Sequence, residues 1–193
     1  WEIVKIGDRF TTVLGGTPSR AVENYWENGT IPWINSGKIN SLRITDQSEF
    51  ITKEALEKSA TKMLPKRATL IAITGATLGQ FSLTEIECCA NQSVVGIWDK
   101  ENLYNEFIYL KISEIIKDLV LLASGSAQPH INKEDVNSKE IVVPDKQTIV
   151  SFNQIIKPMF DEISALIFQN INLQKTRDLL IPQLVTGRRE LSN

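Results

Sequence analysis

Five short stretches hold the side chains that could do chemistry in this sequence. They are Gly15-Gly16-Thr17-Pro18-Ser19-Arg20, Asn35-Ser36-Gly37-Lys38, Thr74-Gly75-Ala76-Thr77, Asn91-Gln92-Ser93 and Ser124-Gly125-Ser126-Ala127-Gln128, with His130 and Lys133 just beyond the last. Glycine lets backbone amides approach a ligand closely, and Ser, Thr, Asn and Gln both donate and accept hydrogen bonds. Asn and Gln match the groove edge of adenine, while Arg and Lys match guanine or phosphate. Any one such loop is adequately explained by turn geometry. Five on one domain point to a binding surface. The candidate contact residues of that surface are Thr17, Ser19, Arg20, Asn35, Ser36, Lys38, Thr74, Thr77, Asn91, Gln92, Ser124, Ser126, Gln128, His130 and Lys133.

Catalysis has no comparable foothold. There is no Gly-x-x-x-x-Gly-Lys-Ser/Thr phosphate loop, and Gly75 and Gly79 are wrongly spaced for a dinucleotide fingerprint. Nothing resembling a nucleophile elbow surrounds Ser124 or Ser126. One histidine and two adjacent cysteines make no recognised zinc spacing, so we expect no catalytic residue and no metal.

The loops need a frame. Thr69-Leu70-Ile71-Ala72-Ile73 reads as a buried strand stopped at Gly75, Ser93 to Trp98 as another, and Glu140 to Val143 as a last strand ended by Pro144. Thr52 caps a helix running to about Lys62, and Leu103 to about Ala123 is helical with an apolar side. Trp33, after Pro32, is expected in the core. Asp145 caps a long helix reaching about Ile181, some 50 Å at 1.5 Å per residue. Pro158 should kink or joint it; Pro182 and Gly187 should end it.

That helix carries a seven-residue apolar repeat. Ile149, Ile156, Ile163, Asn170, Arg177 and Leu184 share one register; Phe152, Met159, Leu166, Leu173 and Leu180 share the other. This is the a/d pattern of a coiled coil over roughly five heptads, and so narrow a seam calls for a partner helix. Asn170, a buried amide at an a position, would fix register. The expected fold is mixed α/β: a globular domain over residues 1–144, then a long C-terminal coiled-coil helix over residues 145–193.

Composition sets further bounds. With 42% apolar and 23% charged residues the sequence is that of an ordinary globular protein, and no apolar run reaches the roughly 18 residues of a membrane span. Cys88 and Cys89, being adjacent, leave no disulfide framework, so a cytoplasmic location is expected. A net charge of −2 argues against a free-standing nucleic-acid binder. The local answer is the stretch Lys53, Lys58, Lys62, Lys66 and Arg67, interleaved with Glu54 and Glu57. Opening at Trp1 without a methionine, the chain reads as trimmed.

The order of these pieces resembles a known family. Trp1 with Gly7-Asp8 and then Gly15-Gly16-Thr17-Pro18-Ser19 looks like the opening of a target-recognition domain from the specificity subunit of type I restriction–modification enzymes. Ile31-Pro32-Trp33-Ile34-Asn35-Ser36-Gly37 resembles its second signature, and Thr74-Gly75-Ala76-Thr77-Leu78-Gly79 its third, followed by Asn91-Gln92. Gly125-Ser126-Ala127-Gln128-Pro129-His130-Ile131 through Pro144 is similar to the closing segment, and Leu173 to Arg188 to the end of the conserved helical region. The resemblance implies a non-catalytic reader of double-stranded DNA, with the candidate contact residues above as its DNA contacts, that directs adenine methylation and cleavage by modification and restriction subunits. S-adenosylmethionine, ATP and magnesium would belong to those subunits. Such subunits carry two recognition domains spaced by two paired helices; this sequence has one of each. It is therefore expected to be a half-subunit, homodimeric through its helix, or a portion of a longer chain. A protein-binding assembly scaffold and the recognition part of a larger fused restriction–modification enzyme are the alternatives.

Overall fold

The computed structural model describes residues 1–122 and 130–187. In chain order these form β1 (Glu2–Lys5), α1 (Ile6–Arg9), β2 (Thr11–Leu14), β3 (Ile31–Ile34), β4 (Arg43–Ile44), β5 (Glu49–Ile51), α2 (Lys53–Lys58), β6 (Met63–Leu64), β7 (Thr69–Ala72), β8 (Phe81–Thr84), β9 (Cys88–Ala90), β10 (Val94–Trp98), α3 (Asn105–Leu122), α4 (Lys133–Ser138), β11 (Glu140–Val143) and α5 (Lys146–Val185). They divide into two compact units, residues 1–154 and 155–193.

The first unit is built on two sheets of order β2-β10-β7-β8-β4 and β5-β3-β9-β6, with β1 and β11 paired as a separate ribbon. The two-residue side-chain period of strands assigns the layers. Ile71 of β7 and Val95 and Ile97 of β10 join α1, α3 and β11 in one core. Their strand neighbours Leu70, Ala72 and Val94 pack with Ile34, Leu64, Cys88 and Ala90 in a second core between the sheets. Trp33 and Cys89, alternating with Ile34 and Cys88, face a third cluster with Ile51 and Ala55. The order of layers is thus α3, five-stranded sheet, four-stranded sheet, α2. All four residues of β7 are buried because both its faces are covered.

Caps sit where the polar residues predict. The Thr52 side chain accepts from Ala55 N at the start of α2, which closes at Lys58. Asp145 Oδ1 accepts from Thr148 N at 2.9 Å, opening α5. Asn153 Nδ2 donates to Leu103 O at 2.7 Å, and Ile149 is fully buried, so the first turns of α5 belong to the body of the first unit.

The helix runs through both prolines instead of stopping near residue 181. Each proline costs one i to i−4 bond, yet the last turn closes past Pro182: Thr186 N donates to Pro182 O at 3.1 Å and Gly187 N to Leu184 O at 3.2 Å. Gly187, at φ +68°, takes the left-handed terminating conformation. No helix among the described residues is long and apolar enough to cross a membrane.

Candidate nucleic-acid interface

Strand ends gather most of the polar loops at one end of the first unit. β3 and β9 run parallel, Ile34 beside Ala90, so Asn35 and Asn91 leave the sheet together. Asn91 N donates to Ile34 O at 3.0 Å. The opposing sheet ends at the same level: β2 closes beside the start of β10, and Gly15 N donates to Val94 O at 2.9 Å. Ile73 N donates to Ser93 O at 2.9 Å, which brings in the loop after β7. That loop is bridged to His130 through Thr74.

Gly15 and Gly16 make this convergence possible. A Cβ on Gly15 would stand 2.1 Å from Asn91 O and 2.5 Å from Ala90 O, and one on Gly16 2.7 Å from Ala60 C and Thr61 N. Only a bare backbone wedges between those segments. Gly16 N donates to Ala90 O at 2.8 Å, while Gly16 O accepts from buried Trp33 Nε1 at 3.1 Å. Trp33 is therefore a buried anchor for the loop.

The side chains on this rim are mostly held by short-range hydrogen bonds to their own loops. Thr17 Oγ1 donates to Gln92 Oε1 at 2.5 Å. Asn91 Oδ1 accepts from Ser93 N, and Asn35 Oδ1 caps the 3-10 turn Ser36–Asn40 by accepting from Gly37 N at 3.0 Å. Thr77 Oγ1 donates to Thr74 O at 3.4 Å within the next loop. The 3-10 turns at Ser36–Asn40 and Gly75–Thr77 lie in contact. Thr17, Ser19, Arg20, Asn35, Ser36, Lys38, Thr74, Thr77, Asn91, Gln92 and His130 thus belong to one connected rim. Lys133 is the first residue of α4, which packs on α1, β2 and α3. Ser124, Ser126 and Gln128 lie outside the described residues.

Electrostatically the rim is close to neutral. The Arg20 guanidinium donates to both Glu49 oxygens at 2.6 Å and stacks 3.5 Å from the centroid of the Trp26 ring. Hydrogen bonding from Arg20 holds the Glu49 carboxyl below its ordinary range, and the same bond raises Arg20. Lys38 Nζ sits 2.5 Å from Asp46 Oδ2. Four of the five cations of the basic stretch are paired: Lys53 with Glu57, Lys58 with Glu54, Lys66 and Arg67 with Glu85. Lys62 is exposed beside them.

Asp46, Ser48 and Glu49 were not among the sequence candidates. They reach the rim because β5 pairs with β3 in a register that sets Glu49 opposite Trp33, and Ser48 Oγ accepts from Asn35 N at 3.1 Å. A pairing register leaves no mark in local composition. Among the described residues no group of three His, Cys, Asp or Glu side chains is placed to hold a metal.

α5 carries the other candidate surface. Phe152 packs on the core of the first unit. Further along, Met159 is 53%, Leu166 50% and Leu173 66% exposed. Asn170 is exposed, and Ile156, Ile163 and Leu180 are half-buried. The d register of the repeat therefore lies open over three successive heptads.

The first unit is thus a two-sheet body with polar loops gathered at one end, and α5 carries an apolar seam. The chain belongs to the family described as type I restriction modification DNA specificity domain, which matches residues 1–176. It is 25% identical over 190 residues to the type I restriction enzyme MjaIX specificity subunit of Methanocaldococcus jannaschii, covering 97% of this chain and 44% of that one. To the EcoR124I/EcoR124II specificity subunit of Escherichia coli it is 27% identical over 179 residues, covering 86% and 44%. The type I restriction–modification S subunit from M. genitalium shares its fold with a TM-score of 0.66 at 16% identity, over 93% of this chain and 44% of that chain. The type IIG restriction endonuclease BpuSI does so with a TM-score of 0.54 at 9% identity, over 79% and 26%. The chain spans less than half the length of the curated relatives it matches.

Proposed function

We propose that this chain is the DNA-reading component of a type I restriction–modification system and performs no chemistry itself. Residues 1–144 would form the target-recognition domain, with the rim side chains Thr17, Asn35, Asn91 and Gln92 reading base edges of double-stranded DNA. Each good bidentate base contact supplies about 1–3 kcal/mol of discrimination. Modification and restriction subunits, carrying S-adenosylmethionine, ATP and magnesium, would methylate adenine and cut, in the cytoplasm. Residues 145–193 would be the spacer. Its open seam suits an antiparallel partner helix, from a second copy if this is a half-subunit or from the remainder of a longer chain.

The observation carrying this reading is the convergence of four polar loops on one end of the first unit, through Gly15-Val94, Ile34-Asn91 and Ile73-Ser93 backbone bonds. A neutral rim implies modest affinity alone and a partner that supplies most phosphate contacts. The test is a salt titration of duplex binding with and without the modification subunit. A reader shows a salt-dependent, sequence-selective term that strengthens with the partner. A protein-only scaffold shows none.

A further inference from the structure

Both cations of the rim already have carboxylate partners, and these partners come from one short segment. Arg20 is held by Glu49 in a two-point geometry that occupies both terminal nitrogens of the guanidinium. Lys38 is held by Asp46. Asp46 and Glu49 flank Ser48, whose hydroxyl accepts from the backbone of Asn35. The acids therefore stand at the interface itself. Exposed ion pairs are weak, so a phosphate placed by other contacts can displace them. Trp26, 3.5 Å from the guanidinium, would keep Arg20 in place once Glu49 lets go.

We infer that Glu49 and Asp46 act as an electrostatic brake on the rim, neutralising Arg20 and Lys38 so that the chain does not adhere to duplexes of arbitrary sequence. The inference rests on the DNA-reading proposal and adds to it a selectivity device. A bare cation gains equally from every phosphate and lowers discrimination. A paired one contributes only where base contacts seat the rim deeply enough to exchange its carboxylate for phosphate. Specificity is a difference of affinities, and suppressing the wrong complex serves it as well as strengthening the right one.

The test measures the affinity of the chain for a random-sequence duplex against salt for the parent, Glu49→Gln, Asp46→Asn, the double variant, and Arg20→Ala alone and with Glu49→Gln. Each cation released to phosphate steepens the slope of log K against log salt by about 0.9. We expect roughly that for each single variant and about twice that for the double, with tighter binding at low salt. Arg20→Ala combined with Glu49→Gln removes both charges of the pair and should return the slope to within about 0.3 of the parent, cancelling the gain of Glu49→Gln. A salt-dependent parent whose slope the variants do not change overturns the brake and leaves DNA reading intact. A slope in the combined Arg20→Ala and Glu49→Gln variant as steep as in Glu49→Gln alone also overturns it. Parent and variants all failing to bind duplex at low salt overturns both. Loss of melting temperature with unchanged slopes would make the pairs merely structural.

Discussion

Replacing Gly15 with alanine tests whether the rim is held together as described. The new methyl carbon would lie 2.1 Å from Asn91 O and 2.5 Å from Ala90 O. Ordinary contact needs more than 3 Å, so the two segments must separate by about 1 Å. Both obstacles are backbone, and neither can rotate away. Overpacking of this kind costs about 1–3 kcal/mol. The shift also strains the Gly15 N to Val94 O and Gly16 N to Ala90 O bonds, each worth about 1 kcal/mol net. A loss of roughly 3–5 kcal/mol follows, a large part of the about 5–15 kcal/mol that stabilises a domain. With a slope near 2 kcal/mol per molar, the urea midpoint should fall by about 1.5–2.5 M. Gly75→Ala is the control. Nothing lies within 4 Å of its would-be Cβ, and φ is +69°, so it should lose only the left-handed cost of about 1–2 kcal/mol. Urea unfolding followed by tryptophan fluorescence reads both. A Gly15→Ala midpoint within about 0.5 M of the parent, or a larger loss in Gly75→Ala, refutes the wedge.

Three other expectations follow from burial and pairing. Burial pushes the Cys88 thiol up to about 12, so a thiol reagent at pH 8 should leave it untouched in the native chain and label it after urea; rapid native labelling would contradict its place between the sheets. Glu49 has a folded value below its unfolded one, so its pairing contributes stability fully present above about pH 4.3 and lost as pH falls through the lower folded value; Glu49→Gln should remove that part of the acid dependence, and an unchanged acid limb would count against the pair. Alanine at Met159, Leu166 and Leu173 should weaken the proposed self-association in sedimentation, with little change in monomer melting because these side chains are half or more exposed. Monomer alone for the unmutated chain at tens of micromolar would argue against a homodimer.

Much of the frame could be read from local pattern. The apolar runs at residues 69–73 and 93–98 are strands β7 and β10, the helix expected from Leu103 is α3, and Thr52 and Asp145 cap the helices they were expected to cap. These signals are local, since each is a period or a cap. The two-residue strands β4 and β6 and the three-residue β9 were not legible, because their strand character comes from pairing with distant segments. Cys88 and Cys89 show the difficulty: adjacent and alike, they point into different cores. On the rim, glycines and amides marked the loops. What they could not reveal was charge. Arg20 and Lys38 read as free cations until the β3–β5 register placed Glu49 and Asp46 beside them.

The most direct test of the central claim is methylome sequencing of a host that carries this chain with its modification subunit. The account predicts methylated adenines within one two-part sequence, absent when the chain is omitted and altered when Asn35, Asn91 and Gln92 are replaced together. Methylation that keeps the same sequence without the chain, or that ignores those replacements, would contradict it.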